Sequence, residues 1–102
     1  MDQGFIDILK RLVEEQSKEP LLDPVKCKNY LGDYTRGEYK KESRQLLKAV
    51  EAGVSKAINA TSELEICMKQ QQRKLHEDHD MDSAIALNVV NVLAHVLRGI
   101  HY

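Results

Sequence analysis

Arg36, Lys40, Arg44 and Lys48 recur at every fourth position of YTRGEYKKESRQLLKAVEAG, residues 34–53, and Lys41 sits beside them. On an α-helix each step of four drifts by about 40°, so such a row winds slowly along one side as a basic ridge. Residues 36–48 hold five cations against Glu38 and Glu42, a local excess of three positive charges. A ridge of this kind can meet phosphates or a partner's acidic face through charge-assisted contacts. It can equally be the solvated side of a helix whose other side is buried, which is the commoner fate of helical charges. Tyr30, Tyr34 and Tyr39 lie within ten residues of one another and close to the row. They suit a stacking surface or a protein anchor, but core and half-core positions explain them more cheaply. The partner-binding candidates are therefore Arg36, Lys40, Lys41, Arg44, Lys48 and Tyr34.

Other clusters carry less chemistry. His76 and His79, with Glu77, Asp78 and Asp80, are potential ligands, but a zinc site needs at least a third protein ligand and none is identifiable. HEDHD is also not the H-E-x-x-H helix of a zinc protease, so a hydrated connector is expected and no metal. Neither Cys27 nor Cys67 has an adjacent histidine to activate it, and no nucleophile elbow, glycine-rich phosphate loop or distinct carboxylate pair occurs. The chain is expected to be no enzyme and to need no cofactor.

Composition narrows the classes. The 102 residues suit one domain, and 42% hydrophobic with 30% charged residues is globular rather than disordered. A net charge of −1 and an isoelectric point near 6.4 give no overall pull toward nucleic acid, which normally attracts a basic domain. The two cysteines are 40 positions apart, and the N-terminal stretch lacks the basic start and apolar run of a signal peptide, so a reducing cytoplasm is expected. No run approaches the roughly 20 apolar residues of a membrane span.

The elements that must position these residues are all helical. In residues 2–16, Phe5, Ile6, Ile8, Leu9, Leu12 and Val13 repeat at three and four, which predicts an amphipathic helix ending before Pro20. Asp23 and Pro24 predict the start of a short helix over 24–33, with Val25, Tyr30, Leu31 and Tyr34 inward. Gly32 and Gly37 bracket a predicted turn into a third helix, 38–52, with Tyr39, Ser43, Leu46, Leu47 and Val50 inward and Gly53 at its end. A short helix over 54–60 follows. Ser62 and Glu65 have capping-box spacing, predicting a helix from there to about 76, with Leu64, Ile66, Cys67, Met68 and Leu75 apolar. Residues 77–82 form an acidic connector, and Asp82 should cap a last helix over 83–98 closed by Gly99. Ile85, Ala86, Leu87, Val89, Val90, Val92, Leu93, Ala94, Val96 and Leu97 cover most of that helix, the mark of a bundle's centre. Asn88, Asn91, His95 and Arg98 leave it one polar stripe.

LLDPVKCKNYLGDYTRGEYKKESRQLLKAVEAG together with KLHEDHDMDSAIALNVVNVLAHVLRG resembles an uncharacterised helical module that recurs in bacterial multidomain proteins, often beside signalling, kinase or chaperone-like regions. The resemblance covers most of residues 20–99 and rests on Leu31, Asp33, Arg44, Leu46, Leu47, Ala49, Glu51 and Gly53, then Ala84 or Ala86, Leu97 and Gly99. It implies a helical fold, no catalytic residue, and Asp33 pairing with Arg36 or Arg44 across the turn. Such modules are usually appendages, whereas here only one further helix, residues 1–17, precedes it.

The expected architecture is all-α: a single compact bundle of five or six helices with the hydrophobic C-terminal helix at its centre. The expected function is protein–protein interaction or adaptor work with an unnamed protein partner. The N-terminal helix is a candidate for homodimerisation, because its apolar band is wider than a two-helix seam needs. A nucleic-acid-associated regulator using the basic ridge is the alternative.

Overall fold

The computed structural model describes residues 1–101. Six α-helices follow in order: α1 Gln3–Glu15, α2 Pro24–Thr35, α3 Lys40–Glu51, α4 Val54–Ala60, α5 Leu64–Asp78 and α6 Ser83–Arg98, with a 3₁₀ turn at Glu19–Leu21 before α2. No strand occurs among the described residues. The Cα radius of gyration, 12.2 Å, is close to the roughly 13 Å expected of a folded chain this long.

Local chemistry starts and stops most helices where the sequence places the signals. The Asp2 carboxylate accepts from the Gly4 amide, Asp23 from Val25 and Lys26, and Asp82 from Ala84 and Ile85. Each satisfies amides that the first helical turn leaves without a partner. Gly53 takes a left-handed φ of 81° between α3 and α4, a conformation that costs glycine nothing.

The C-terminal helix is the centre of the bundle. It packs against α1, α3, α4 and α5 and buries Ala86, Val89, Val90, Val92, Leu93, Ala94 and Leu97. Phe5, Ile6, Leu9 and Leu12 of α1, Leu46 and Val50 of α3, and Val54 and Ile58 of α4 complete the core. Thus the apolar band of α1 is largely consumed within the chain, and Ile8 and Val13 stay half-buried.

Three boundaries and one buried face differ from the sequence expectation. Helix α2 runs on to Thr35, so Gly32 lies inside a helix rather than at a turn. Val25, expected inward, is 69% exposed, and Cys27 and Thr35 are buried in its stead. Helix α3 begins at Lys40 rather than at residue 38, because Tyr39 adopts a left-handed φ of 56°. Finally, the Ser62 and Glu65 capping box does not form. Thr61 Oγ1 accepts the Glu63 amide instead, and α5 starts at Leu64 with Ile66 55% exposed.

The left-handed Tyr39 has a tertiary cause. A non-glycine residue held at positive φ costs on the order of 1–3 kcal/mol and persists only when its surroundings demand it. The Tyr39 ring packs against Phe5 at a tilt of 49° with centroids 5.8 Å apart, and its hydroxyl lies against α1 at Gly4. A Cβ on Gly4 would collide with that hydroxyl, so a larger residue there would push the Tyr39 ring away from α1.

Two basic side chains close helix ends from a distance. Lys74 Nζ donates to the Ala52 carbonyl at 2.7 Å, and Arg98 donates to the carbonyls of Ile58 and Thr61 at 2.9 and 2.8 Å. Cations suit these positions because the last carbonyls of α3 and α4 have no helical partners and concentrate negative potential.

Candidate functional site

The row of cations is divided between two faces. Arg36 is the residue that ends α2, in a left-handed conformation at φ 53°, and does not belong to α3. It lines a shallow surface with Arg11, Glu15, Asp33 and Tyr34. Lys40, Lys41, Arg44 and Lys48 are exposed along α3, so the ridge expected over one helix starts a turn later than its spacing suggests.

The face around Tyr34 is internally satisfied. The Tyr34 hydroxyl donates to Glu15 Oε1 at 2.6 Å and accepts from Gln16 Nε2 at 3.4 Å, while Tyr30 donates to Gln16 Oε1 at 3.3 Å. Arg11 lies 5.2 Å above the Tyr34 ring, and the two tyrosine rings pack 6.4 Å apart. The bond to Glu15 raises the Tyr34 phenol above its usual range, and the Asp2 charge does the same for Tyr39. Tyr30 and Tyr34 therefore fasten the end of α1 to α2, and Tyr39 fastens α3 to α1. Their rings are not gathered into one stacking platform.

The other face is a groove of about 320 Å³ between α2 and α3. Leu31, Gly32, Thr35 and Leu47 contribute its predominantly apolar lining, and Lys28, Lys40 and Arg44 stand around it with Glu38. Thr35 Oγ1 donates to its own helix at the Leu31 carbonyl, 2.7 Å away, which commits its proton within the chain. Among the described residues the ion pair present is Lys26 with Glu19, so none of the three cations is neutralised by a close carboxylate. The pairing of Asp33 with Arg36 or Arg44 implied by the resemblance is likewise not made. Here the structure brings together Lys40 and Arg44 from the original candidates and adds Lys28. Lys28 comes from α2, and nothing in its sequence spacing links it to α3. Arg36 and Tyr34 line a separate surface, and Lys41 and Lys48 do not line the groove.

The remaining polar clusters have structural duties. His76 Nδ1 lies 2.9 Å from the Met81 carbonyl and, with the Met81 amide donating to Leu75, closes the turn from α5 to α6. Among the described residues no three His, Cys, Asp or Glu side chains gather as a metal would require. Of the polar stripe on α6, Arg98 is committed to the end of α4, His95 Nδ1 meets the Ile100 carbonyl, and Asn91 borders a crevice with α5 beside Leu87.

Both cysteines are free and buried. Burial pushes the Cys27 thiol up to about 12, with the Glu51 charge adding to it. A thiol so hard to ionise is a poor nucleophile, since the thiolate is the reactive form. No helix among the described residues is long and apolar enough to cross a membrane. No family model, curated protein or solved structure matches this chain.

Proposed function

We propose that this chain is a non-catalytic interaction module that engages a protein partner through the face between α2 and α3. The observation that carries this reading is the groove itself: an apolar floor ringed by Lys28, Lys40 and Arg44, with no carboxylate paired to them among the described residues. An apolar centre inside a polar rim is the anatomy of a protein-binding patch. The suppressed thiol of Cys27 disfavours it as a nucleophile, two buried free thiols suit a reducing cytoplasm, and the resemblance to a module appended to bacterial proteins favours adaptor work.

The nucleic-acid reading draws on the exposed cations of α3. It accounts for Lys40, Lys41, Arg44 and Lys48 but leaves the apolar floor without a task. Self-association through α1 has Ile8 and Val13 as its remaining half-exposed apolar residues.

The deciding experiment compares wild type with Lys40→Glu/Arg44→Glu as baits in host lysate, with and without nuclease, after circular dichroism shows both folded. Proteins retained only by the wild type are then purified and rebound in a defined mixture. Nuclease-resistant binding that the double variant loses is the expected result. Binding that nuclease abolishes transfers the ridge to nucleic acid, and binding indifferent to the two charges overturns the assignment of this face.

A further inference from the structure

Resting on the assignment of this face to a protein partner, we infer that the α2–α3 groove takes an acidic amphipathic helix, an apolar side chain entering over Gly32 while carboxylates one turn apart meet Lys40 and Arg44.

Three properties of the groove describe this occupant. The first is the vacant position at Gly32. It lies inside α2, and a Cβ built there meets nothing within 4 Å. Glycine in a helix interior is less favourable than alanine, and no close contact compensates here. What the missing side chain leaves is open space in a groove that Leu31, Thr35 and Leu47 also line, and its volume of about 320 Å³ is at the small end for a cofactor. That space suits an apolar side chain delivered by another molecule.

The second property is the spacing of charge. Lys40 and Arg44 are four residues apart on one helix, a rise of about 6 Å, and Lys28 adds a third cation from α2. Glu or Asp residues at the same interval on a second helix have the same rise, so two helices lying side by side pair both charges in one register. The occupant's carboxylates thus complement a rim that no carboxylate among the described residues pairs.

The third is the absence of an alternative way to bind. Among the described residues there is no strand, hence no sheet edge onto which an extended peptide could add, and a furrow between helices is the setting for helix-in-groove recognition. A phosphodiester strand would use the cations but not the floor, and the three nearby tyrosine rings are spent on contacts with α1. Glu38 lies at the same mouth and carries the same sign as the occupant. It therefore opposes binding, and its removal strengthens the complex.

The test uses the whole chain and a phage-displayed library of amphipathic helices with randomised polar positions. Selection is expected to enrich an apolar anchor flanked by Glu or Asp one turn apart. The synthesised consensus peptide, followed by fluorescence anisotropy, should bind at least about tenfold more weakly to Gly32→Leu, which fills the floor, and to Lys40→Glu/Arg44→Glu. It should bind a few-fold more tightly to Glu38→Gln, and less tightly as salt rises. Gly32→Leu adds a helix-favouring residue facing open space, so its thermal melt should be no lower than wild type, separating loss of binding from loss of fold. Failure to enrich, a consensus without acidic residues, or undiminished binding to Gly32→Leu overturns the inference. So does labelled random-sequence DNA binding that competes with the peptide and is lost in the double variant. A native partner that needs Lys40 and Arg44 but ignores Gly32→Leu removes this occupant and leaves the interaction reading in place. The absence of both peptide and partner binding removes both.

Discussion

On one side of the turn at residues 36–39, Tyr34, Glu15 and Gln16 bond to one another under Arg11. On the other, Lys28, Lys40 and Arg44 surround an apolar floor with no carboxylate paired to them among the described residues. Both faces hold members of one row of cations, yet the first spends its polar groups on holding α1 to α2 and the second keeps them available. Equal spacing in the sequence does not confer equal roles. What separates the two is the backbone reversal between Arg36 and Tyr39, where Arg36, Gly37 and Tyr39 all have positive φ.

The largest effect that tests this division comes from Leu31, which lines the groove while being only 3% exposed. Leu31→Ala should cost about 2–5 kcal/mol in chemical denaturation, because truncating a buried leucine loses both transfer energy and packing. A cost under about 1 kcal/mol would mean that the floor is independent of the core and that the groove is a looser feature than its burial indicates.

A smaller effect addresses the turn. Gly4→Ala places a methyl group against the Tyr39 hydroxyl and should destabilise by about 1–3 kcal/mol, the usual penalty for overpacking. In the Tyr39→Phe background the loss should shrink, since the atom in closest conflict is gone. Strict additivity in that double-mutant cycle would show that Tyr39 is not what holds the turn against α1.

The smallest effect contrasts the two faces directly. Tyr34→Phe removes the hydroxyl bonded to Glu15 and should cost about 0.5–1.5 kcal/mol of stability with partner affinity intact. Lys40→Glu/Arg44→Glu should do the reverse, leaving stability within about 0.5 kcal/mol while binding falls. Measuring melting and binding on the same two samples checks both. If Tyr34→Phe weakens binding as much as the charge reversal does, the two faces act as one surface.

The helices were legible from residues near one another in the chain. Asp23 with Pro24, Asp82, Gly53 and Gly99 act over a turn or less, so their effect survives any tertiary arrangement. The burial of α6 was legible for the same kind of reason, because residues apolar nearly all round a helix have nowhere to go but the centre. The candidate site was legible only in part. Lys40 and Arg44 were visible as a spaced pair, whereas Lys28 joins them only because α2 and α3 pack together. The Ser62 and Glu65 motif had the right spacing but lost to Thr61, whose hydroxyl takes the Glu63 amide.

By itself, then, the sequence determined an all-helical chain, the places where most helices begin and end, and which of them is central. These follow from short-range hydrogen bonding and from the 3.6-residue period of hydrophobicity. Only the tertiary structure decided which cations share a surface. That outcome depends on Tyr39 being held left-handed by Gly4 and Phe5 of α1, residues more than thirty positions away in the chain, and no local pattern encodes a contact of that range.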